Sequence, residues 1–201
     1  GSDAIAGVIN IVLKDDVDVL DVFTMSGITA SGDGEQVKAG ANWGTKLAGR
    51  GFVNITGEFL SRARTNRSEP WPGDIFPGIT GQEATDAEIE RRGLTRDDFN
   101  MAVGQSGALV GTGFLNAAYP LNQTFELYAL GGYTYRKGKA SGFYRFPTSE
   151  DRIDLSIYPD GFLPEINPSL NAWTATAGVR GKKGPWEGDL SLTYGGDSFH
   201  F

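Results

Sequence analysis

The sequence contains no cysteine and a single histidine, His200. Without cysteine, neither a disulfide framework nor a thiolate metal site can form. One histidine supplies neither a multi-histidine metal site nor the base of a convincing Ser-His-Asp arrangement. We therefore expect no metal, no cofactor and no catalytic residues, and a protein that is not an enzyme.

The chain also has no run of about 18 apolar residues, and it has no excess of positive charge. The first absence excludes a transmembrane helix, but a spanning β-strand needs only ~9 to 11 alternating residues. The formal net charge is −7 at pH 7. Nucleic-acid phosphates call for a basic face, so we expect no nucleic-acid partner.

Glycine and alternating apolar residues are abundant instead. The 29 glycines among 201 residues are about twice the usual share of ~7%, which suits strands whose backbones approach closely. Alternation is clearest from Phe125 to Arg136, where apolar and aromatic residues occupy every odd position. Similar patterns predict seven strands, over 19–29, 35–46, 52–62, 104–119, 125–136, 173–180 and 186–194.

The lengths of the connections between these strands predict the architecture. Short turns join the second strand to the third, the fourth to the fifth and the sixth to the seventh, whereas two insertions, at about 64–102 and 139–169, are long and polar. All long connections therefore leave one end of the sheet. This asymmetry is typical of outer-membrane barrels. We predict an all-β fold, an antiparallel up-and-down meander that is a partial transmembrane β-barrel with long extracellular loops.

The first insertion contains a short helix signal. Thr85 and Glu88 have the spacing of a capping box, and Gly93 is placed as a C-terminal stop. We expect a helix that begins at Thr85 and ends before Gly93.

Aromatic residues are concentrated near both ends of the strands, as in the interfacial girdles of membrane barrels. The short-turn ends carry Trp43, Phe52, Tyr119, Phe125 and Trp186, and the opposite ends carry Tyr133, Tyr135, Trp173 and Tyr194. The other strand face carries charged residues that we expect to face a lumen: Lys38, Glu58, Glu126, Arg136, Arg180 and Glu187.

The first 14 residues are Gly-Ser-Asp-Ala-Ile-Ala-Gly-Val-Ile-Asn-Ile-Val-Leu-Lys. The β-branched run from Val8 to Val12 predicts a short buried strand. The whole segment resembles the end of the plug domain of TonB-dependent outer-membrane receptors, which directly precedes the first barrel strand. Residues 116–121, 125–136 and 140–145 are similar to early barrel strands of that family, and 157–164 is similar to a loop that follows them.

This resemblance implies that residues 1–16 are the C-terminal end of a plug and that 17–201 are the N-terminal part of a barrel. The chain would be a fragment of a receptor in the bacterial outer membrane. The family imports a scarce nutrient, such as an iron-siderophore complex, cobalamin or a glycan. The implied partners are outer-membrane lipid, a small-molecule nutrient ligand and the TonB energy-transducing complex, which acts through an N-terminal region that this sequence lacks.

The second insertion holds the candidate ligand-binding residues Phe143, Tyr144, Arg145 and Tyr158. Aromatic rings beside an arginine can stack on a planar anionic ligand and pair with its charge. The alternative is that these side chains pack the loop against its neighbours.

Two other classes of protein remain open. A secreted β-sandwich could bind glycans through Trp71, Trp173 and Tyr158, and it predicts aromatic residues buried between two sheets. A β-rich hydrolase would need two loop carboxylates within catalytic distance in a cleft, and no spacing in the sequence indicates such a pair.

Overall fold

The fold is a single antiparallel sheet whose long strands follow one another in chain order. It is a computed structural model that describes residues 7, 9–149 and 151–201. The order across the sheet is β1-β2-β3-β4-β5-β7-β8, and the two-residue strand β6 pairs with the end of β5. The strands are β1 (Val19–Gly27), β2 (Gln36–Leu47), β3 (Gly51–Arg62), β4 (Gly107–Pro120), β5 (Phe125–Ser141), β6 (Glu165–Ile166), β7 (Ser169–Lys183) and β8 (Trp186–His200).

The prediction of an all-β, up-and-down meander with seven long strands is confirmed. Neither β1 nor β8 has a second neighbour among the described residues, so the sheet is open. Three strands, β5, β7 and β8, are several residues longer than the alternation predicts, and β7 is longer at both ends. β5 continues to Ser141, where Ala140 and Ser141 pair with β6, and β8 continues to His200 because its pairing with β7 extends to Ser169.

Short turns lie at one end of the sheet and long connections at the other, as predicted. The β2–β3 turn places Ala48 and Gly49 at positive φ, and the β7–β8 turn does the same with Gly184. In the β4–β5 turn, the Asn122 Oδ1 accepts hydrogen bonds from the backbone N–H groups of Thr124 and Phe125, at 2.8 and 2.9 Å. Residues 28–35, 63–106 and 142–168 form the connections at the opposite end.

The first long connection contains a helix, α1 (Gln82–Arg91), and a 3₁₀ helix (Arg96–Phe99). The predicted start at Thr85 is wrong. Gly81 is the N-cap, and Thr85 is fully buried inside α1, where a capping side chain could not lie. The capping box belongs to Thr95 and Asp98 of the 3₁₀ helix instead. Gly93, at φ +73°, follows the end of α1 as predicted. No helix in the described parts of the chain is long and apolar enough to cross a membrane.

The packed core lies in the long connections and not on the sheet. Ile75, Phe76, Ile89 and Phe99 of the first connection are buried together with Tyr144 of the second. We call the described residues of 63–106 and 142–168 the loop cap. Most aromatic residues of the sheet are exposed instead and the others, such as Phe114 and Tyr135, are half-buried, and the described residues contain no second sheet over them. The burial that a β-sandwich predicts is therefore not found.

The N-terminal motif does not form the predicted strand where it is described. Residues 1–6 and 8 lie outside the described residues, and 9–16 have no regular secondary structure. Ile9, Ile11 and Val12 are exposed, so the prediction of a buried strand is wrong for them. A strand needs a hydrogen-bonding neighbour, and none of the described strands pairs with this segment.

Candidate functional site

One face of the sheet is apolar and uncovered. The register aligns seven side-chain positions across the strands in one row, formed by Leu20, Trp43, Ile55, Leu115, Gly131, Ala175 and Tyr194. Positions two or four residues away on each strand continue the same face. They include Val53, Leu127 and Leu192, of which Leu127 is 42% and Leu192 is 78% exposed. We call this surface the apolar face.

Aromatic side chains border the apolar face in two lines. On β8, Tyr194 lies eight residues beyond Trp186, about 26 Å along the strand. Tyr194 lies toward the long-connection end of β8, yet it shares its hydrogen-bonded row with Trp43, which lies toward the short-turn end of β2. The two lines therefore run obliquely across the hydrogen-bonded rows. The short-turn line contains Trp43, Tyr119, Phe125 and Trp186, and the long-loop line contains Phe59, Tyr133, Trp173 and Tyr194.

The slope of the aromatic lines across the hydrogen-bonded rows gives the angle by which the strands tilt from the perpendicular to those lines. From Trp43 on β2 to Trp186 on β8, the short-turn line shifts eight residues over five strand steps. From Phe59 on β3 to Tyr194, the long-loop line shifts four residues over four steps. With a rise of ~3.3 Å per residue and a strand spacing of ~4.8 Å, these shifts correspond to tilts of about 48° and about 35°.

The opposite, polar face carries ion pairs between neighbouring strands. Lys38 pairs with Glu58 at 2.9 Å, and Arg180 pairs with Glu126 at 2.6 Å. The register confirms that the six charged residues predicted to share a face do so. One predicted girdle residue is misplaced: Phe52 lies opposite Lys46 and Ala118, and so belongs to the polar face.

Residues 9–16, which we call the connector, run across the polar face. The Asn54 Nδ2 donates to the Asp16 carbonyl at 2.7 Å, and the Asn116 Nδ2 donates to the Lys14 carbonyl at 2.9 Å. A Cβ atom at Gly44 would lie 2.1 Å from that Asp16 oxygen, so only glycine leaves room for the chain there. The polar face is thus shaped to hold this segment.

A buried amide pair supports the contact with the connector. Asn42 and Asn54 are 3% and 2% exposed. The Asn42 Nδ2 donates to the Asn54 Oδ1 at 2.6 Å, which leaves the Asn54 amide nitrogen free to donate to the Asp16 carbonyl. Buried amides are costly without partners. The pair therefore fixes the orientation of Asn54 toward the connector.

The loop cap places the four candidate ligand-binding residues in different surroundings. Tyr144 is buried, its ring contacts Phe99 and Phe146, and its hydroxyl donates to the Asp160 carbonyl at 3.0 Å. Burial raises the pKa of Tyr144 to about 12. Tyr144 therefore contributes to the cap core, as the packing alternative predicts.

The other three candidates lie nearer the surface of the loop cap. Phe143 is 71% exposed. The backbone of Arg145 forms a β-bridge with Phe162, whose ring stacks on Tyr158 at 4.6 Å. Phe143, Arg145 and Tyr158 are thus the members of the predicted set that a ligand could reach.

Arg92 joins the two connections of the loop cap, and the sequence pattern does not single it out. Its guanidinium lies 4.2 Å from the centre of the Phe76 ring and pairs with Glu88 at 2.8 Å and with Asp160 of the second connection at 2.7 Å. Hydrogen bonds from Arg91 and Arg92 lower the pKa of Glu88 to about 2. The position of Arg92 four residues after Glu88 was the available signal for part of this contact.

No protein family, curated protein or solved structure matches the chain.

Proposed function

We propose that this chain is part of a TonB-dependent outer-membrane receptor, and that its seven long strands form a sector of a membrane-spanning β-barrel. Lipid contacts the apolar face, the polar face borders the lumen, and the loop cap is extracellular. The whole receptor takes up a scarce nutrient such as an iron-siderophore complex, cobalamin or a glycan, energised by the TonB energy-transducing complex.

The observation that carries the membrane assignment is the exposed apolar face between two oblique aromatic lines. Strands of outer-membrane barrels tilt by ~35–45° and carry an apolar band ~25 Å tall between aromatic girdles. The tilts of about 35° and 48° lie at the lower end of that range and just above its upper end. At a tilt of ~40°, the ~26 Å from Trp186 to Tyr194 corresponds to about 20 Å of membrane depth.

The polar face and the connector support the assignment to this receptor class. Barrels that enclose a plug need a polar lumen. The connector crosses that face before β1 and is bound there by Asn54 and Asn116. A chain that leaves a plug for the first barrel strand has to cross the lumen-facing side of the barrel wall. This contact therefore supports the proposed assignment of residues 1–16 to the end of a plug and of 17–201 to a barrel sector.

The open sheet supports the further proposal that the barrel contains additional strands. Among the described residues, β1 and β8 each have one edge without a neighbouring strand, and no such edge is tolerated within the hydrocarbon layer. Closure of the barrel requires neighbours for both. The membrane-spanning state of this chain is thus part of a larger assembly of strands.

Insertion into lipid vesicles tests the proposal. Because β1 and β8 both need neighbours, we expect the unfolded chain, diluted into vesicles, to insert with its edges paired to those of other copies. It should form β-structure in which lipids brominated on their acyl chains quench Trp43, Trp173 and Trp186, but not Trp71 of the loop cap. A folded monomer that stays in the aqueous phase, with unquenched tryptophans, would contradict the membrane assignment.

A matched pair of variants makes the test specific to the two faces. Ala177 lies on the apolar face near mid-strand, and Thr176 lies on the polar face, bonded to Thr193. An arginine near the middle of the lipid-facing surface costs ~2–4 kcal/mol. We therefore expect Ala177→Arg to reduce the free energy of insertion by that amount and Thr176→Arg to reduce it far less. Equal effects of the two variants would argue against the proposed orientation.

A further inference from the structure

We propose that the short-turn end of the apolar face binds one anionic glycerophospholipid, in a groove between β7 and β8. Its acyl chain lies on Gly188, and its headgroup phosphate pairs with Lys183. The inference rests on the proposed membrane position of the sheet and adds a specific lipid site to it.

The groove is a concavity of about 660 Å³ with predominantly apolar walls. Phe125, Val179, Trp186 and Leu190 supply large apolar side chains along it. Its floor is open at Gly188, where a Cβ atom would meet nothing within 4 Å. A flexible hydrocarbon chain can therefore lie against the backbone between the aromatic and aliphatic walls.

Phe125 forms one wall because the neighbouring strand has glycine at the facing position. Phe125 lies opposite Gly181, and a Cβ atom there would come within 2.6 Å of the Phe125 ring. Gly181 in turn lies opposite Gly188. The two glycines thus have different roles: Gly181 accommodates the ring, and Gly188 leaves the space that the lipid chain occupies.

Two adjacent lysines at the mouth of the groove differ in a way that indicates a headgroup contact. Lys182 lies opposite Glu187, with 3.7 Å between Nζ and Oε2, on the polar face. Lys183 lies opposite Trp186 on the apolar face. Among the described residues, no carboxylate pairs with Lys183 in a salt bridge. Its ammonium group is therefore the charge available to an anion that approaches along the apolar face.

These features define the chemistry of the occupant. A lysine beside an interfacial tryptophan reaches the headgroup level of a membrane, and such a lysine favours anionic lipid by ~1 kcal/mol. A free phosphate ion would satisfy the lysine but leave the apolar walls in contact with water. An anionic glycerophospholipid satisfies both, with its phosphate on Lys183 and its chain on Gly188.

The test compares two quenchers that differ only in their headgroup. The full chain is inserted into phosphatidylcholine vesicles that contain a small fixed fraction of brominated-chain phosphatidylcholine or brominated-chain phosphatidylglycerol. The difference between the wild-type chain and Trp186→Phe isolates the signal of Trp186. We expect phosphatidylglycerol to be enriched about fivefold over phosphatidylcholine at Trp186, the ratio that corresponds to ~1 kcal/mol.

Neighbouring lysines provide the matched controls. Lys183→Gln should abolish the preference for phosphatidylglycerol, whereas Lys182→Gln should retain it. Gly188→Val fills the groove without removing charge and should also reduce the preference. If Lys182→Gln and Lys183→Gln lowered the preference for phosphatidylglycerol equally, general attraction to an anionic surface would explain that preference. The proposed site would then be overturned.

The remaining outcomes separate the two proposals. If neither brominated lipid quenches Trp186, the proposed membrane position fails. If both quench it equally, the membrane position stands and the lipid site is refuted. If added inorganic phosphate removes the preference, the mouth binds phosphate alone and the lipid site is also refuted.

Discussion

Replacing Phe99 by alanine should unfold the loop cap and leave the sheet intact. Phe99 is fully buried, and its ring meets Phe76 at 5.7 Å and Tyr144 at 5.8 Å, both edge to face. Phe76 belongs to the first long connection and Tyr144 to the second. The ring therefore joins the two connections, and its loss acts on both.

The magnitude follows from the size of the core. A buried Phe→Ala change costs ~3–5 kcal/mol. The core of a unit of about 70 residues rarely contributes more than ~3–5 kcal/mol of net stability. The expected loss is thus comparable to the whole stability of the loop cap. Since 1.4 kcal/mol is tenfold in an equilibrium constant, the ratio of closed to open cap should fall by at least about a hundredfold.

Limited trypsin digestion measures the opening of the loop cap. Arg91 and Arg92 at the end of α1 are cleavage sites that the folded cap holds in ion pairs with Glu88. We expect cleavage there to accelerate strongly in Phe99→Ala. The control is Phe143→Ala, in the same cap but 71% exposed, which should leave the cleavage rate close to that of the wild-type chain.

Two results would refute this reasoning. If Phe99→Ala and Phe143→Ala were cleaved at the same rate, the buried cluster would not hold the two connections together. If Phe99→Ala instead removed the β-sheet signal in circular dichroism, the loop cap and the sheet would share one core, contrary to the burial pattern.

Two other predictions concern the connector and the acid stability of the cap. Asn54→Ala should leave the Asp16 carbonyl without its partner and remove one acceptor of the Asn42 amide, which keeps Thr56 Oγ1 at 2.8 Å. It should lower the free energy of unfolding by ~1–3 kcal/mol and accelerate trypsin cleavage after Lys14. The double variant with Asn42→Ala should cost less than the sum of the single changes, and strict additivity would disprove the coupling. Because the pKa of Glu88 falls from 4.5 to about 2 on folding, its stabilising contribution is fully present above pH ~4.5 and is lost as the pH falls toward ~2. Urea unfolding of the loop cap across this range should show that slope, Glu88→Gln should flatten it, and an unchanged slope in the variant would assign it to other groups.

The strands could be predicted from the sequence because each has one face that the structure leaves apolar. From Phe125 to Tyr135, the alternation identifies both the strand and its exposed side without knowledge of its neighbours. Where the pattern weakens, as from Lys137 to Ser141, the strand continues because β7 and β6 pair with it. Pairing is a property of two segments, so one segment alone does not reveal it.

The loop cap could not be predicted for a related reason. Ile75, Phe76, Ile89 and Phe99 are scattered through a polar stretch without a strand period, and Tyr144 joins them from a connection more than forty residues later. The pattern around Tyr144 indicated a ligand clamp as an alternative to packing. Only the fold distinguishes the buried ring of Tyr144 from the exposed ring of Phe143.

For the described residues of the apolar run from Val8 to Val12, the sequence pattern predicted burial that the structure does not show. Its β-branched residues favour extended backbone, and the sequence pattern therefore predicted a buried strand. The described residues of this run are exposed, and only residues that follow it contact the polar face, where the backbone carbonyls of Lys14 and Asp16 accept hydrogen bonds from asparagine side chains. Composition therefore did not specify what the segment would contact.

The slope of the aromatic lines across the sheet restricts how further strands can be added to it. Each strand step moves the lines by about 1.0–1.6 residues, so every added hairpin must begin about two to three residues lower than the one before it. If a hairpin were duplicated without change into the next position of the sheet, its Trp and Tyr residues would lie off the two aromatic lines. Duplication of strands would thus have to be accompanied by small insertions at one end and deletions at the other.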